Sequence, residues 1–422
     1  MQRPAASILL TGNELLRGVI ADQNARYLAR SLEAHGFRMR RTVMVGDGLN
    51  EIGDGLRSAL EGADLVVTSG GLGPTHDDRT VEAIGQVTGD DLVLDQAVLE
   101  RISDWTDAVA ARNAFPRDRF TAGNHKQAHI LRGSSVLGIA GTAPALVARA
   151  GSARLVILPG VPSELRRLWK LAPDHPDLAE LFARAVPRRR RLLRTYGVGE
   201  SHVADIFAAL GGDPPGVETA ICARSFEIEV DIRAEPDDAS DAAAERLADG
   251  LAGELSEYLF ATDERTVAEI VLDLARERGL TLATAESCTG GMIGTWLTDV
   301  PGSSAVFRGA VVSYSDDAKR SLLGVPADVL EEYGAVSAET AAAMASGARQ
   351  ALGADLAASV TGIAGPGGAV EGKPVGLVYT HVSSPGGEIA ARSEFTGGRA
   401  AVRTRAAVAA LHMLRRHLAT DL

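Results

Sequence analysis

The sequence predicts an α/β protein built from three domains. Its 422 residues exceed what one hydrophobic core organises, so two or three domains are expected. Residues 1–170 and 262–422 alternate short apolar runs with amphipathic stretches, which indicates βαβ units and a mostly parallel sheet. Residues 171–257 have a different, more polar character and predict a small α+β domain between the two.

The composition is that of a globular protein in a reducing compartment. Hydrophobic residues make up 45% and charged residues 23% of the chain, which are ordinary proportions. No apolar run approaches the roughly 20 residues that span a bilayer. The stretch MQRPAASILLTGNELL does not fit a signal peptide, because its short apolar run enters a glycine turn as a first buried strand would. Two distant cysteines, Cys222 and Cys288, form no disulfide framework, so a cytoplasmic location is expected.

The charge distribution argues against nucleic acid as a partner. The net charge is −12, whereas affinity for nucleic acid comes largely from neutralising phosphates. We interpret the local run Arg188–Arg191 with Arg194 as a solvated strand edge or linker. Only four of the 43 basic residues are lysines. Arginine cannot act as a proton-transferring base and a desolvated lysine can, so these lysines are either chance survivors or candidates for chemistry: Lys126, Lys170, Lys319 and Lys373.

The first domain reads as alternating strands and helices. ASILLTG, RRTVMVGD and DLVVTSGGLG predict strands, NARYLARSLEAHG and LNEIGDGLRSALEGA predict helices, and ARLVILPGVPSELRRLW predicts a strand, a Gly/Pro turn and a helix. Loops at the carboxyl ends of parallel strands form the ligand crevice of such sheets. The glycine-rich stretches occupy that position.

The middle region begins with LAPDHPDLAE, a polar, Pro-rich stretch that predicts a linker. After it, RRLLRTYGV, TAICAR and FEIEVDIRA predict strands, and ESHVADIFAAL and DASDAAAERLADGLAGELSEYL predict helices. The two later strands alternate, so one face is buried and the other solvated.

The last domain repeats the α/β pattern. VAEIVLDLARERG predicts a helix that leads into the strand LTLATAES, and SCTGG opens the helix MIGTWLTDV. AVFRGAVVSY, DLAASVTGIAG and VGLVYTHVSS predict further strands before a long Ala-rich helix.

Ser287 lies where the strand LTLATAES meets this helix. A serine there can be held above the sheet, with backbone N–H groups at the helix start free for an anion or an oxyanion. The same residues suit a bound phosphate or a plain turn, and a serine at this place is at least as often a helix cap. The motif alone leaves these alternatives open.

A lysine supplies a candidate base. In VVSYSDDAKRSLLG a strand ends at Tyr314, and Lys319 follows on the first turns of a helix. A desolvated amine there could take a proton from a serine, as in Ser–Lys catalysis. The alternative is a surface lysine paired with Asp316 or Asp317. VTGIAGPGG allows close backbone approach to a ligand, and Arg399, at the end of FTGGR, could clamp a phosphate.

AESCTGG, SYSDDAK, TGIAGPGG, KPVG and FTGGR, in this order, resemble the nicotinamide mononucleotide deamidase domain of the CinA family over roughly residues 264–418. The resemblance implies hydrolysis of nicotinamide mononucleotide to nicotinate mononucleotide and ammonia, without a cofactor. It implies that Ser287 attacks the carboxamide, that Lys319 takes the proton and that Tyr314 orients or assists the lysine. The Ser287–Gly291 backbone, including Thr289, Gly290 and Gly291, would hold the oxyanion. Thr361, Gly362 and Arg399 would contact substrate. Asp316 stands where the family often has asparagine, a departure expected to leave Lys319 unaffected.

The strongest N-terminal motif is TSGGLGPTHDDRT. Gly70, Gly71 and Gly73 would let backbone N–H groups approach phosphate oxygens, and Asp77 and Asp78 could hold a divalent cation if the chain turns there. Thr75 and Asp78 also have the spacing of a helix-capping box, and the two readings are compatible.

GNELLRG with Glu14, Asn24 farther along, GNHKQA with Lys126, and LPGVPSE with Gly160 and Glu164 resemble the molybdopterin-binding fold of MogA and MoeA, as it occurs in the CinA family. The resemblance covers about residues 5–170. It implies a nucleotide-pyrophosphate pocket and ADP-ribose pyrophosphatase activity that depends on a divalent metal such as Mg²⁺ or Co²⁺, with AMP and ribose 5-phosphate as products. The middle domain resembles the family's small KH-like domain but lacks a GxxG loop. We therefore expect a spacer or dimerisation role and a homodimer, without RNA binding.

Three N-terminal positions depart from the family pattern: Asn13, Gly138 and Ala145. Ala145 is expected to narrow the space for a ligand, because its Cβ stands where glycine leaves room. Together the resemblances predict a bifunctional pyridine-nucleotide recycling hydrolase that binds small nucleotides and no membrane. Alternatively, the first domain is a nucleotide or molybdopterin binder or transferase. A third reading, a protein-interaction role in DNA uptake or damage response, rests on the family's name alone.

Overall fold

A computed structural model describes residues 3–420, apart from the side chain of Arg117. The chain forms two compact units that divide between Arg189 and Arg190. Within the described residues, no helix is long and apolar enough to cross a membrane.

Unit 1 has eight strands in its described part: β1 (Ala5–Thr11), β2 (Arg38–Val45), β3 (Leu65–Ser69), β4 (Leu92–Leu94), β5 (His129–Leu131), β6 (Ser135–Ala140), β7 (Ala143–Ala150) and β8 (Ala153–Leu158). Its helices are α1 (Asn13–Leu16), α2 (Asn24–Ala34), α3 (Leu49–Leu60), α4 (Thr80–Thr88), α5 (Gln96–Asn113), α6 (Thr121–Gln127), α7 (Pro162–Trp169) and α8 (Pro176–Arg184).

The main sheet of unit 1 has the order β2-β1-β3-β8-β7-β6. The first four strands are parallel. β7 pairs antiparallel with β8, and β6 pairs antiparallel with β7, so β7 alone runs against the other strands of this sheet. Apolar clusters cover both faces of this sheet, which explains why β1 and β3 are buried at every residue. The predicted parallel sheet with its flanking helices is confirmed.

The prediction of a linker at LAPDHPDLAE is wrong. A 3₁₀ turn (Ala172–Asp174) and α8 occupy this stretch, and Leu178 and Leu181 lie in the same core cluster as Phe37 and Trp169. Pro176 occupies the first turn of α8, where a missing N–H costs nothing. The proline therefore starts a core helix here. The three-domain division at 1–170, 171–257 and 262–422 stays a prediction.

Unit 2 contains the remaining elements. Its strands are β9 (Arg189–Thr195), β10 (Val217–Arg224), β11 (Glu227–Ala234), β12 (Leu259–Ala261), β13 (Leu282–Glu286), β14 (Phe307–Val312), β15 (Leu356–Gly362), β16 (Leu377–Ser384) and β17 (Gly387–Glu394). Its helices are α9 (Glu200–Ala209), α10 (Asp238–Glu254), α11 (Val267–Glu277), α12 (Met292–Thr298), α13 (Asp316–Leu323), α14 (Ala327–Tyr333), α15 (Ala338–Leu352) and α16 (Arg399–Ala419).

Two sheets organise unit 2. The four-stranded sheet β10-β11-β9-β12 belongs to the small α+β part, and the five-stranded sheet has the order β14-β13-β15-β16-β17. In the larger sheet β14, β13 and β15 are parallel. β16 pairs antiparallel with β15, and β17 pairs antiparallel with β16. A core of residues from α11, α16 and the central strands covers one face. The mixed α/β class and the small α+β part are as predicted.

The arginine run is paired with carboxylates. Arg190 contacts Asp231 and Glu264, and Arg191 contacts Asp241. Arg194 is buried, and its guanidinium lies 2.7 Å from Glu227. β9, which carries most of this run, lies between β11 and β12 in its sheet and its arginines are paired with carboxylates, which corrects the expectation of a solvated edge or linker.

Candidate functional site

The carboxyl ends of the three parallel strands of unit 2 meet at one edge of the sheet. Glu286, the last residue of β13, pairs in register with Val312 of β14 and Val360 of β15. Ser287 N–H donates to Val360 O (2.9 Å), and Ser313 N–H donates to Glu286 O (2.9 Å). The loops after β13, β14 and β15 therefore converge, as the ligand crevice of an open α/β sheet requires.

Ser287 and Lys319 lie within hydrogen-bond distance of each other. Lys319 Nζ is 3.2 Å from Ser287 Oγ and donates to Ser313 O at 2.9 Å. The lysine side chain projects from α13 and is only 1% exposed, and Ser287 is 8% exposed. The alternative of a surface lysine is wrong, because the side chain is buried. Asp317, one of its two suggested partners, pairs with Arg320 instead.

Burial controls the charge of the Lys319 amine. Desolvation lowers its pKa, and the nearby carboxylate of Asp316 opposes this by raising it. A depressed pKa increases the fraction of neutral amine, which is the form that can accept a proton. The expectation that Asp316 leaves Lys319 unaffected is therefore wrong, because its charge acts on the lysine.

Cys288, next to the serine, is not a competing nucleophile. It is buried, and burial raises the pKa of its thiol to about 11. Since the thiolate is the reactive form, Cys288 stays protonated near neutral pH. Ser287 is thus the nucleophile candidate of this loop.

The helix start after Ser287 is not free for an anion, which corrects a prediction. The Glu286 carboxylate accepts the N–H groups of Ile293 (3.1 Å) and Gly294 (2.8 Å) at the start of α12. These two N–H groups are therefore not available to an anion, and the preceding turn offers the nearer donors to Ser287. Within residues 3–420, Thr289 is fully buried, and neither its hydroxyl nor its N–H has a hydrogen-bond partner.

Tyr314 and Arg399 are brought together, but the tyrosine hydroxyl has a different partner from the one predicted. Arg399 Nη2 donates to Tyr314 Oη (2.7 Å), and Arg399 Nη1 donates to Gly365 O (2.8 Å). Tyr314 is 63% exposed, whereas Lys319 is oriented by the Ser313 carbonyl. The arginine thus joins the loop after β14 to the loop after β15.

Thr361 and Gly362, at the end of β15, both contact neighbouring segments of the protein. The Thr361 hydroxyl donates to Ala335 O at 2.6 Å, so it anchors the segment after α14. A Cβ on Gly362 would lie 2.7 Å from Leu377 O, so this glycine permits the close pairing of β15 and β16. Contact of either residue with a substrate stays a prediction.

Arg403 is a site residue that the sequence analysis missed. Its Nε donates to Cys288 O (3.0 Å) and its Nη2 to Thr289 O (2.8 Å). One signal could have found it. Arg403 follows Arg399 by four residues on the final helix, and this spacing places both on one face.

In unit 1 the glycines permit close backbone approach at the ends of β3 and β8. Gly70 and Gly71 both have positive φ, and a Cβ on Gly160 would lie 3.4 Å from Gly70 Cα. Asn24 Nδ2 donates to Ser69 Oγ (3.0 Å) and Gly160 O (2.7 Å), and ties the two loops together. These predicted site residues therefore lie side by side.

The carboxylates of Asp77 and Asp78 both lie against the hydroxyl of Thr75. Thr75 Oγ1 lies 2.5 Å from both Asp77 Oδ1 and Asp78 Oδ2, and its single proton can be donated to either. Lys126 Nζ donates to Thr75 O. The capping-box prediction is wrong, because α4 begins at Thr80 with Arg79 as its N-cap residue. Thr75 and Asp78 form a separate turn instead.

Further acidic groups lie near this turn. The pKa of Asp47 is raised, first by burial and then by the charges of Glu14, Asp77 and Asp78. Yet no group of three or more His, Cys, Asp or Glu side chains within the described residues could hold a metal ion. As arranged, the predicted metal ligands do not form a metal site by themselves.

Two other predicted features of unit 1 lie away from this turn. Glu164 is half-buried, and burial raises its pKa; a Cβ on Gly141 would lie 2.7 Å from its carboxylate. Ala145 is fully buried in the core and pairs with Gly138 across β6 and β7. The expectation that Ala145 narrows a ligand space is therefore wrong.

A cavity of about 210 Å³ adjoins the glycine turn. Gly71, Gly73, Asp78 and Lys126 are among the residues that line it. The wall of this cavity therefore combines glycine backbone, a carboxylate and an ammonium group.

Comparisons with known proteins cover both units. Residues 264–418 match the family described as "CinA C-terminal domain", and residues 7–175 match "Probable molybdopterin binding domain". A CinA-like protein of Mycobacterium sp. (strain MCS) is 40% identical over 98% of each chain. A CinA-like protein of Mycolicibacterium vanbaalenii is 41% identical, also over 98% of each chain.

Solved structures match single parts of the chain. The competence/damage inducible protein CihA from Agrobacterium tumefaciens is 39% identical, with a TM-score of 0.36, over 38% of this chain and 100% of its own. A MogA structure is 24% identical, with a TM-score of 0.29, over 42% of this chain and 99% of its own.

Proposed function

The chain belongs to the CinA family, and we propose that residues 264–418 hydrolyse the carboxamide of nicotinamide mononucleotide to nicotinate mononucleotide and ammonia. The observation that carries this proposal is the buried Lys319 amine 3.2 Å from Ser287 Oγ. Nucleophile and base at this separation, with the base desolvated, are the requirements of Ser–Lys catalysis.

In the first half-reaction Ser287 Oγ attacks the carboxamide carbon while its proton passes to neutral Lys319 Nζ. The Ser313 carbonyl accepts one N–H of the amine and so directs the lone pair to the serine. The carbonyl oxygen becomes an oxyanion, which N–H groups of the Ser287–Gly291 turn would stabilise. Collapse breaks the C–N bond, and Lys319 returns the proton to the leaving nitrogen, which departs as ammonia.

In the second half-reaction water opens the ester on Ser287. Lys319, neutral again, takes a proton from water as the hydroxide attacks the acyl carbon. The C–O bond to serine breaks and the proton held by Lys319 returns to Ser287 Oγ. The product acid releases its remaining proton to solvent, and nicotinate mononucleotide leaves as the carboxylate. The cycle needs no oxidant, reductant or metal.

The test is ammonia release from nicotinamide mononucleotide by the whole chain and its variants. Ser287→Ala and Lys319→Ala should each lower kcat by at least about 10³-fold, because they remove the nucleophile or its base. Lys319→Arg keeps the charge and loses the base, so it should be nearly inactive. Lys170→Arg, at an exposed lysine of unit 1, is the matched control and should keep full activity. Near wild-type turnover by Ser287→Ala would show that the nucleophile is misassigned.

For unit 1 we propose binding of a nucleotide pyrophosphate and hydrolysis of ADP-ribose to AMP and ribose 5-phosphate. The cavity lined by glycine backbone, Asp78 and Lys126 favours this second activity. Among the described residues, the acidic side chains do not make a metal site by themselves. AMP release with and without Mg²⁺ or Co²⁺ is the measurement, with Lys126→Met as the variant expected to lose it. Binding of ADP-ribose without AMP release would favour the alternative of a binder or transferase.

The proposed substrates also suggest where and how the protein works. Both are small nucleotides that arise from NAD turnover, so we propose a cytoplasmic enzyme of pyridine-nucleotide recycling. A homodimer without nucleic-acid or membrane partners remains the predicted assembly. Light scattering on a sizing column measures it.

A further inference from the structure

Arg403, on the last helix, is hydrogen-bonded to the turn that contains Ser287. Its guanidinium donates to the carbonyls of both Cys288 and Thr289. The same turn is closed by Gly290 N–H donating to Ser287 O at 3.1 Å. Gly290 has φ +61, and a Cβ there would lie 3.4 Å from Arg403 Nη2. Residues 287–290 therefore form a β-turn whose two central carbonyls are fixed by one side chain.

The carbonyl contacts determine where one N–H group points. In a trans peptide the C=O of one residue and the N–H of the next point in opposite directions. Because Arg403 Nε holds Cys288 O, the N–H of Thr289 points away from the arginine. Type I and type II turns differ mainly by a flip of this central peptide. Such a flip would turn Cys288 O away from the guanidinium and present an N–H to a cation.

Thr289 is the residue of this turn that combines an unpaired N–H with an unpaired buried hydroxyl within the described part of the chain. Unpaired buried donors are costly unless a ligand satisfies them. They lie two residues after Ser287, whereas the N–H of Gly290 closes the turn and those of Ile293 and Gly294 are occupied by Glu286.

We propose that Arg403 is a positioning residue that locks the Ser287–Gly290 turn so that Thr289 N–H stabilises the oxyanion formed at Ser287. The inference rests on the proposed amide hydrolysis at Ser287. Within the described residues, the hydrogen bonds of Arg403 go to two protein carbonyls, so its effect should fall on the reaction step rather than on substrate binding.

The test compares Arg403→Met and Arg403→Lys with Arg405→Met in the whole chain. Arg405 lies on the same helix and contacts Thr396 and Phe226 instead, so its variant is the control. For nicotinamide mononucleotide, Arg403→Met should lower kcat about 10²-fold, as loss of an oxyanion donor does, with KM changed less than about threefold. Arg403→Lys should recover part of kcat, since an ammonium can hold one carbonyl but not both in the same geometry. The pH at which kcat reaches half its maximum should not move, because Lys319 is untouched.

A second readout separates this inference from the proposed substrate. A fluorophosphonate probe reacts with an activated serine and places a phosphonyl oxygen where the oxyanion would form. Labelling of Ser287 should be slowed in Arg403→Met and unchanged in Arg405→Met. If the wild type were labelled but did not turn over nicotinamide mononucleotide, the proposed substrate would be wrong. Slower labelling of Arg403→Met would then still support the role of Arg403. Equal labelling and equal kcat in Arg403→Met, or a rise in KM alone, would overturn the role of Arg403. If the wild type showed no labelling and no turnover, both proposals would be overturned.

Discussion

At the scale of single residues, the charge of Lys319 sets the pH response of the site. Desolvation lowers the pKa of its amine, and only the neutral form can take the serine proton. The kcat for amide hydrolysis should therefore rise as the pH increases through this lowered pKa and level off above it. An ordinary lysine would give the same rise only near pH of about 10.4.

Asp316 provides a way to move that rise. Its carboxylate raises the pKa of Lys319, so Asp316→Asn should shift the rise in kcat to lower pH. Asp317→Asn is the matched control, since Asp317 pairs with Arg320 and is not among the groups that act on Lys319. A shift to higher pH in Asp316→Asn, or an equal shift in both variants, would contradict the role given to Asp316.

The sequence predicted which residues of the site lie together better than it predicted their individual contacts. The Ser287 and Lys319 motifs alone left a helix cap and a surface lysine open, and the family resemblance paired the two side chains, which lie 3.2 Å apart. The partner of a hydroxyl could not be predicted in the same way. Thr361 bonds to Ala335 and Tyr314 to Arg399, and both partners are brought there by loops distant in sequence.

At the scale of elements, Glu286 joins the end of β13 to the start of α12. Its fully buried carboxylate accepts two N–H groups of the helix, where a negative charge also meets the positive end of the helix dipole. The side chain lies six residues before Met292, the first residue of the helix. It therefore escapes the local spacing by which helix caps are recognised in sequence.

Loss of this contact should destabilise unit 2. Glu286→Gln keeps the size of the side chain but loses the charge, and we expect a loss of about 2 kcal/mol, typical of a buried hydrogen bond to a charged group. Urea denaturation measures it. Glu269→Gln, in the exposed capping box of α11, is the control and should give a smaller change. Equal stability of Glu286→Gln and wild type would mean that the carboxylate does not hold the helix.

The pairing of β6, β7 and β8 shows what periodicity cannot reveal. The alternation of strands and helices predicted the parallel part of the first sheet, because each crossover carries a helix. Strand direction at the edge depends on short turns instead. Gly141 and Gly151, both with positive φ, return the chain at once and make β7 antiparallel to its neighbours.

At the scale of the whole molecule, the limits of each compact unit follow from burial more than from composition. The Pro-rich stretch at 171–180 resembled a linker, but Leu178 and Leu181 complete the core of unit 1. The small α+β part likewise belongs to unit 2, because Tyr196 stacks on His412 of α16 at 3.8 Å and Glu227 lies 2.8 Å from the same histidine. Such contacts join residues about 200 positions apart and leave no local trace in the sequence.

Three buried histidines should make unit 2 sensitive to mild acid. Burial lowers the pKa values of His381, His412 and His417 below the ordinary 6.5, so the folded unit holds them neutral. The unfolded chain binds protons as the pH falls below about 6.5, while the folded unit does not until its lowered pKa values are reached. The free energy of unfolding should therefore decrease with falling pH across this window. Carboxylates with lowered pKa values, such as Asp355, lose their contribution only below about pH 4.

Calorimetry at about pH 7.5 and about pH 5.5 tests this expectation, since the two values lie on either side of the ordinary histidine pKa. The melting temperature of unit 2 should be lower at the more acidic pH. His417→Gln keeps a partner for the Ser384 hydroxyl, which His417 Nε2 contacts at 2.8 Å, and removes one titrating group. Its melting temperature should therefore fall less between the two pH values. A wild-type melting temperature that stays constant or rises on acidification would show that these histidines are not held neutral by burial, and that the ion pair of His412 with Glu227 outweighs desolvation.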